Sequence, residues 1–255
     1  MVRRETDYMT RGDKRRVVGI VQARMGSTRL PGKVMEPILG RPMLSWVAER
    51  LQRAVLLDEV IVATTQASAD ETIVSLCREQ EVLCFRGSVE DVLDRYYRAA
   101  SCHHADVIVR ITSDCPLIDA GVVDEVVQAF LMSDVDYASN TVIRSYPRGL
   151  DVEVISFEAL ERAHRNASRA YQREHVTPWI YENPSQFRIL SVAGEADYSS
   201  HRWTVDTAED LALIRAIYEQ LGGGSTFSEI LDLVERHRDL AEMNSSIVQK
   251  ALHEA

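Results

Sequence analysis

Short apolar runs alternate with longer helical segments through the first half of this 255-residue chain. Strands are predicted at residues 17–23, 60–64, 82–85 and 106–112, and helices at 43–54, 70–80, 89–103 and 122–132. Helices of this length between apolar strands indicate crossover connections and a largely parallel sheet. The alternation therefore predicts a doubly wound, Rossmann-like α/β domain, whose ligands bind at the carboxyl ends of the strands.

The second half of the sequence is less regular. Strands are predicted at residues 150–156, 187–192 and 202–205, and helices at 157–166, 171–181, 208–221, 227–237 and roughly 244–253. A glycine-rich break at residues 222–225 precedes the last two helices. We expect a flexible polar tail over residues 1–16, a main domain over 17–222 and a C-terminal helical appendage over 223–255.

Composition limits the class of protein. With 29 basic and 39 acidic residues the net charge is −10, which argues against a general nucleic-acid or lipid-surface binder. A local basic pocket for a small anion remains compatible with this charge. The four cysteines show no metal-ligand spacing, and the sequence shows neither a secretory signal nor an apolar run of membrane-spanning length. We expect a cytoplasmic protein with reduced cysteines, which interacts with neither membrane nor nucleic acid.

The loop after the first predicted strand carries the strongest functional signal. It reads Gln22-Ala23-Arg24-Met25-Gly26-Ser27-Thr28-Arg29-Leu30-Pro31-Gly32-Lys33. The two glycines allow close backbone approach to a phosphate, and the three basic side chains add positive charge. The spacing differs from that of a P-loop, since five residues separate the glycines, and G-x-G-x-x-G is absent. A basic surface turn is the alternative interpretation.

Two aspartates follow predicted strands, where a metal-dependent transfer needs carboxylates. Asp114 comes after strand 106–112, and Asp206 comes after strand 202–205. Nucleotidyl transfer between anions requires charge neutralisation, usually by Mg²⁺ held on one or two carboxylates. A turn or helix-capping role is the alternative for Asp114. For Asp206 the alternative is capping of the next helix, where either Asp206 with Glu209 or Thr207 with Asp210 has capping-box spacing.

The loop and several later segments together resemble cytidylyltransferases that activate acidic sugars, such as the sialate and 3-deoxy-manno-octulosonate enzymes. The closest resemblance is to the SpsF-type branch of spore coat polysaccharide biosynthesis. The further segments are F-R-G-S-V-E-D-V-L-D-R-Y-Y, R-I-T-S-D-C-P-L-I, G-L-D-V-E-V and R-W-T-V-D-T-A-E-D-L. The resemblance covers almost the whole chain from Val17 onward.

The resemblance implies a nucleotidyltransferase that moves CMP from CTP to an acidic sugar or related anionic acceptor, including a polyol phosphate or phosphonate, with release of pyrophosphate. Mg²⁺ is the implied cofactor, with Asp114 and Asp206 as its ligands. Arg24, Lys33 and Asp114 are the implied catalytic residues. The nucleotide is expected to contact Gln22, Ala23, Arg24, Gly26, Ser27, Arg29, Lys33, Arg86 and Ser88.

Four further residues are candidates for binding the acceptor. Asp151 and Glu153 lie two apart in a predicted strand and therefore face the same side, where they orient an acceptor or support the metal. A salt-bridged strand face is the alternative. Arg173 and His175 are candidates for the acceptor's negative group, and a surface Arg–Glu pair with a capping histidine is the alternative.

Two other functions compete with cytidylyl transfer. A glycosyltransferase that uses a nucleotide sugar requires a metal-binding D-x-D. We interpret Asp134-Val135-Asp136 as a solvated turn between a helix and the start of a strand, because no hydrophobic strand precedes and aims it. A nucleotide sensor has no need of a metal beside the α-phosphate. An apolar face expected on the second-half helices predicts a homodimer.

Overall fold

The computed structural model describes residues 14–249. Its first half contains, in chain order, β1 (Val17–Gln22), β2 (Pro37–Ile38), β3 (Arg41–Pro42), α1 (Met43–Leu51), β4 (Glu59–Thr65), α2 (Glu71–Glu79), β5 (Leu83–Gly87), α3 (Val92–Cys102), β6 (Val107–Thr112) and α4 (Ala120–Leu131). The second half contains β7 (Tyr137–Ser139), β8 (Glu153–Ser156), α5 (Phe157–Asn166), α6 (Ala170–His175), α7 (Pro178–Tyr181), β9 (Ile189–Ser191), α8 (Ala208–Leu221), α9 (Phe227–Arg236) and α10 (Arg238–Glu242).

One seven-stranded sheet runs in the order β5-β4-β1-β6-β8-β7-β9. Strand β8 is antiparallel to both of its neighbours, and the other pairings are parallel. The predicted doubly wound, mostly parallel fold is therefore confirmed. We call the edge at which β1, β4, β5 and β6 end the carboxyl edge. Because β8 runs the other way, its first residue also lies at this edge.

Alternating side chains of the central strands build two apolar layers. On β1, Val17 and Val21 join the layer packed by α1, α4, α8 and α9, whereas Val18 and Ile20 join the layer packed by α3 and α5. The C-terminal helices contribute Ile230 and Leu240 to the first of these layers. The division between a main domain and an appendage at residues 222 and 223 stays a prediction.

Several predicted elements differ from the structure. The helix predicted at 171–181 is broken into α6 and α7, because Pro178 cannot continue a helix and Val176 has a positive φ of 73°. Residues 202–205 form no strand beyond a single bridge between Arg148 and Arg202. Strand β7 was predicted only as a strand start after Asp134-Val135-Asp136, without bounds. Residues 244–249 are not helical, and the remainder of that predicted helix lies outside the described residues.

The predicted N-terminal tail is described only from Lys14 onward. Arg16 donates from Nε to the His103 carbonyl at 2.9 Å and from its backbone N–H to Asp106 at 2.7 Å. Residues 1–13 lie outside the described part of the chain. Within residues 14–249, no helix combines the length and the apolar character needed to cross a bilayer.

The expected apolar face on the second-half helices is not observed. Among the described residues of that half, the large hydrophobic side chains that are exposed belong to Val142, Ile143, Met243 and Val248. All four lie outside helices α5 to α10. The helices bury their apolar stripes within the chain's own core, so this argument for a homodimer is wrong.

Gly149 allows two loops to meet directly beneath the carboxyl edge. Its φ is 109°, and a Cβ there would lie 2.5 Å from the Trp203 carbonyl carbon and 2.7 Å from the Thr204 nitrogen. The Trp203 N–H donates to the Arg148 carbonyl at 2.6 Å across this contact. The absence of a side chain at Gly149 therefore sets the position of the segment that leads to Asp206.

Gly149→Ala should destabilise the protein more than Gly40→Ala, which also has a positive φ but has open space around its Cβ position. The left-handed backbone alone costs about 1–2 kcal/mol, and overpacking against residues 203 and 204 adds about 1–3 kcal/mol. Urea unfolding of both variants measures the difference. Equal losses in the free energy of unfolding would show that the close approach is not a constraint.

Candidate active site

The ammonium group of Lys33 joins the two aspartates at the carboxyl edge. Its Nζ lies 3.0 Å from Asp114 Oδ2, 2.9 Å from Asp206 Oδ1 and 2.8 Å from the Val205 carbonyl oxygen. The Lys33 side chain is only 12 % exposed. The structure thus brings together the lysine of the loop and the two predicted metal ligands, which are far apart in the sequence.

The loop after β1 is closed so that Lys33 points inward. Gly32 has a φ of 72°, and its N–H donates to the Met25 carbonyl at 3.0 Å. Lys33 then begins a 3₁₀ turn, in which the buried side chain of Val34 anchors the loop to the apolar core. The glycine predicted to approach a ligand therefore also provides the left-handed turn that aims the lysine.

Backbone contacts hold the two aspartates side by side. The Val205 N–H donates to the Asp114 carbonyl at 2.8 Å, and the Thr204 hydroxyl donates to the same oxygen at 3.2 Å. The segment before Asp206 is therefore attached to the turn after β6, even though it forms no regular strand.

Mutual charge stabilises the ionised forms of this cluster. Burial alone would lower the pKa of Lys33, but the carboxylates of Asp114 and Asp206 raise it above its usual value. Burial would raise the pKa of Asp114, whereas the Lys33 ammonium and hydrogen bonds lower it below its usual value. Lysine and aspartate therefore remain charged near neutral pH.

Asp206 accepts contacts from three cationic side chains. Besides Lys33, Arg29 and Arg202 approach Asp206 Oδ2 to 2.9 and 2.8 Å. Arg202 also binds Asp210, which is fully buried and accepts the Asp206 N–H at 2.9 Å. This arrangement fixes the direction of the Asp206 side chain.

Asp210 combines the helix-capping role with this support. Thr207 and Asp210 form the capping box at the start of α8, as the alternative interpretation of the segment predicted. Asp206 itself lies just before the box and points to Lys33. The capping and site-building roles are therefore divided between neighbouring residues.

The outer part of the loop is held from the other side. Asp70, which is 1 % exposed, accepts the Met25 N–H at 2.7 Å and also binds the Thr65 hydroxyl. The Ser27 hydroxyl accepts the Leu30 N–H at 3.3 Å. Gly26 has open space around it. The buried Ala23 donates its N–H to the Ala63 carbonyl, so strand pairing continues into the loop.

The structure separates Arg24 from the Lys33 cluster. Arg24 lies 3.4 Å from Glu174 of α6, and both side chains are substantially exposed. The Gln22 Oε1 atom is buried and has no hydrogen-bond partner within residues 14–249. The roles predicted for Gln22, Ala23, Gly26, Ser27 and Arg24 in binding nucleotide stay predictions.

Arg86 and Ser88 lie at the end of β5, on the far side of β4 from the loop. Arg86 donates to the carbonyls of Thr65 and Ala67 and pairs with Glu71. The Ser88 hydroxyl accepts the Asp91 N–H at 3.1 Å. Both residues shape the carboxyl edge, and their contact with a nucleotide stays a prediction.

The two acidic candidates for acceptor binding enter ion pairs within the fold. Asp151 precedes β8 and forms a two-pronged pair with Arg144 at 2.5 and 3.0 Å. Glu153 is buried, pairs with Arg110, and accepts the hydroxyls of Tyr137 and Thr177, each at 2.6 Å. The salt-bridge alternative therefore describes their present contacts, and their acceptor roles stay predictions.

The two candidates on α6 have different surroundings. Arg173 donates to Asp91 at 3.0 and 3.1 Å and to the His164 carbonyl at 2.6 Å, which ties α6 to α3 and α5. His175, in the last turn of α6, is partly buried. Contact of either residue with an acceptor stays a prediction.

The donor set at the cluster suits a hard divalent cation. Mg²⁺ is usually held by one or two carboxylates and completes its coordination with phosphate oxygens and water. Asp114 Oδ1 accepts a weak contact from Cys115 Sγ at 3.6 Å, Lys33 Nζ contacts Oδ2, and the side chain is 24 % exposed. Among residues 14–249, no group of three or more His, Cys, Asp or Glu side chains is arranged to hold a metal ion on its own. Asp114 and Asp206 therefore fit a metal that arrives with a nucleotide.

Several supporting residues were missed at the level of sequence. Asp70 was predicted only as the start of a helix, and Arg202 only as part of a strand. The spacing of Arg202 and Asp206, four residues apart, was a usable signal, but a strand assignment places such residues too far apart to pair. No local signal indicated that Asp70 reaches the loop 45 residues earlier.

The comparisons with known proteins agree with this geometry. The sequence model of a family described as cytidylyltransferase matches residues 18–246. The chain is 39 % identical to the uncharacterized protein MJ1063 of Methanocaldococcus jannaschii over 94 % of this chain and 98 % of that protein. It is 32 % identical to the spore coat polysaccharide biosynthesis protein SpsF of Bacillus subtilis over 88 % and 96 % of the two chains.

A solved structure extends the comparison to the fold. The structure of a cytidylyltransferase from Leptospira borgpetersenii superposes with a TM-score of 0.88 at 32 % sequence identity. The match covers 92 % of this chain and all of the other. The two chains therefore share the same overall fold.

Lys33→Met should increase affinity for a free divalent cation by at least about tenfold, because the lysine ammonium otherwise repels it from both carboxylates. Mn²⁺ binding without nucleotide, followed by electron paramagnetic resonance, measures this. Lys14→Met, which removes an exposed partner of Asp58, is the control and should change nothing. Unchanged Mn²⁺ affinity in Lys33→Met would contradict the inferred competition.

Proposed function

This chain belongs to the cytidylyltransferase family and is a CTP-dependent nucleotidyltransferase; from that membership we propose that it transfers CMP to an acidic sugar or a related anionic acceptor. Polyol phosphates and phosphonates belong to the same acceptor class. Pyrophosphate is the second product. The observation that carries the proposal is the placement of Lys33 between Asp114 and Asp206 at the carboxyl edge.

Each residue of the cluster has a distinct task in this proposal. Asp114 and Asp206 would hold Mg²⁺, which when bound neutralises charge on the phosphates. The low pKa of Asp114 keeps its carboxylate ionised and therefore suits metal binding better than general-base catalysis. Lys33 and Arg29 leave their carboxylate partners for the triphosphate, where they stabilise the charge that develops on the leaving pyrophosphate.

The loop supplies the remaining phosphate contacts. Gly26 has space for a phosphate oxygen close to the backbone, and Ser27 offers a hydroxyl beside it. Arg24 leaves Glu174 and binds the triphosphate instead, because its present ion pair is exposed and therefore weak. The acceptor oxygen then attacks the α-phosphorus in line with the departing pyrophosphate.

Arg148 is the group that supports an anionic acceptor. Its guanidinium makes no hydrogen bond or ion pair with any described residue, although the side chain is half-buried. Burial and the nearby charges of Arg144 and Arg202 lower the pKa of Arg148, against the opposing effect of Asp151 and Asp206. Those four residues pair with one another, so a carboxylate or phosphate beside Gly149 would be free to pair with Arg148. Arg148 directly precedes Gly149, whose close contact with Trp203 and Thr204 lies just before Asp206 in the chain.

The glycosyltransferase alternative is not favoured. Asp134 and Asp136 both pair with Arg188, and the Asp134 side chain is 91 % exposed. Strand β7 runs in the same direction as β6, because both are antiparallel to β8. Asp136, immediately before β7, therefore lies at the edge opposite the Lys33 cluster, where it would not meet the nucleotide.

Two wider proposals accompany the reaction. We propose that the enzyme works in the cytoplasm, consistent with the free thiols of its four described cysteines. We also propose a homodimer, for which the exposed pair Val142 and Ile143 offers apolar surface. Sedimentation of the purified chain decides the oligomeric state.

Asp114→Asn should reduce pyrophosphate release at least about 100-fold, because a metal ligand and a fixed charge are lost together. It should also remove the part of the CTP-induced rise in melting temperature that depends on Mg²⁺. Asp134→Asn is the matched control and should keep wild-type turnover. Full activity of Asp114→Asn, or equal loss in Asp134→Asn, would contradict the assignment.

Arg148→Met should raise the KM for an anionic acceptor about tenfold or more while leaving the KM for CTP unchanged. Pyrophosphate release is measured with sialate, 3-deoxy-manno-octulosonate, a polyol phosphate and a phosphonate. Arg165→Met, at an exposed pair with Glu161, is the control. An unchanged KM for the best acceptor would exclude Arg148 from acceptor binding.

A further inference from the structure

Arg95 is a buried charge without a partner. It is 1 % exposed, and its Nε and Nη1 atoms are buried without any hydrogen-bond partner. No ion pair or aromatic contact of Arg95 is found with any residue from 14 to 249. The other buried arginine of the fold behaves differently, since Arg50 donates to the carbonyls of Leu117, Ile118 and Ser225.

An unpartnered guanidinium is costly to bury, because its charge and its donors lose their contacts with water. Burial lowers the pKa of Arg95, as expected for a cation out of water. A folded protein retains such a group when a ligand supplies the missing acceptors. Buried orphan donors of this kind are rare in native structures.

The position of Arg95 is at the carboxyl edge. It lies in the first turn of α3, and its Cγ is so close to Gly87 that a Cβ there would approach it to 3.0 Å. Gly87 ends β5. The charges of Arg24 and Asp70, which follow β1 and β4, are near enough to influence the guanidinium. Arg95 therefore lies below the ends of β1, β4 and β5.

The order of the sheet indicates which part of the nucleotide reaches this place. In the proposed reaction the aspartates of the Lys33 cluster, beside the ends of β1 and β6, would hold the metal next to the α-phosphate. On one side of it the edge continues to β8, where Arg148 and Gly149 lie; on the other it continues to β4 and β5. Neighbouring strands are about 4.8 Å apart. If the acceptor takes the β8 side, the nucleoside extends towards β5 and Arg95.

We infer that Arg95 reads the pyrimidine base of the nucleotide by donating to O2 and N3 of cytosine. This assignment rests on the proposed transfer from CTP and names the residue that selects the base. The end of a guanidinium presents two parallel donors, Nη1 and Nη2, and no acceptor. Nη1 is one of the two buried Arg95 atoms without a hydrogen-bond partner. Cytosine presents two adjacent acceptors, O2 and N3, whereas uracil has an N–H at position 3. Arg95 therefore pairs with cytosine and leaves two donors facing each other with uracil.

A second buried atom without a hydrogen-bond partner is an acceptor rather than a donor. Gln22 Oε1 is a buried acceptor without a donor, and Gln22 lies on the face of β1 that Val18 and Ile20 turn towards α3. Cytosine carries an amino group at position 4, next to N3. The unsatisfied donors of Arg95 and the unsatisfied acceptor of Gln22 thus match the two kinds of group on one edge of this base.

The test compares Arg95→Met with wild type for binding of Mg²⁺·CTP and Mg²⁺·UTP by calorimetry. Methionine keeps an unbranched side chain of similar length and removes the charge. The preference for CTP over UTP should fall at least tenfold, mainly through weaker CTP binding. The melting temperature of the ligand-free protein should stay the same or rise, because an unpaired buried charge is removed. A structural role would lower it.

Arg98→Met is the matched control, because Arg98 lies one turn later on α3 in an exposed pair with Asp94. It should retain the wild-type preference. Arg95→Lys keeps the positive charge but loses the paired N–H donors of the guanidinium. It should also lose the preference for CTP over UTP. A wild-type preference for CTP that persists in both Arg95 variants overturns this assignment alone. Absence of any CTP preference in wild type overturns the proposed base and acceptor chemistry as well.

Discussion

The contact of one ammonium group with two carboxylates organises the functional edge of this fold. Lys33 reaches Asp114 and Asp206 across 81 and 173 residues of sequence, so the contact exists only when both halves of the chain are in place. The loop turn at Gly32, the backbone pairing of Val205 with Asp114 and the Arg202–Asp210 pair all serve its geometry. Each of these contacts helps to hold Lys33, Asp114 or Asp206 in place.

The antiparallel strand β8 divides the carboxyl edge into two regions. To one side of the Lys33 cluster, β1, β4 and β5 end in loops that bear Arg24, Asp70 and Arg86. To the other, the reversed direction of β8 brings its leading loop, with Arg148 and Asp151, to the same edge. A sheet of parallel strands alone would have placed that loop at the opposite edge. One strand reversal therefore brings Arg148 and Asp151 to the edge where we propose that the nucleotide and acceptor meet.

The parts of this site that follow strands were predictable, and the parts that depend on tertiary packing were not. The pattern of strands and helices placed Lys33 and Asp114 at one edge, because parallel strands end together. Asp206 was assigned to the same edge from a strand that does not form; its place there depends on the backbone contact of Val205 with Asp114. The break at Val176 in the helix predicted at residues 171–181 was harder to predict, although Pro178 indicated that a helix could not continue there. Nothing in the local sequence distinguished the unpaired Arg95 from its neighbour Arg98, which is exposed and pairs with Asp94. That difference is set by the helix face that meets β5, and only the fold defines it.

The charge balance of the cluster suggests how substrate binding proceeds. Lys33, Arg29 and Arg202 face Asp114, Asp206 and Asp210, so three cations balance three carboxylates in the absence of ligand. A triphosphate offers Lys33 and Arg29 a stronger concentration of negative charge. In the proposed reaction this change of partners would leave Asp206 with Arg202 alone, because Arg202 is fixed by Asp210. Asp114 and Asp206 would then be available to a metal once the nucleotide is bound, so the same side chains would couple nucleotide binding to metal binding.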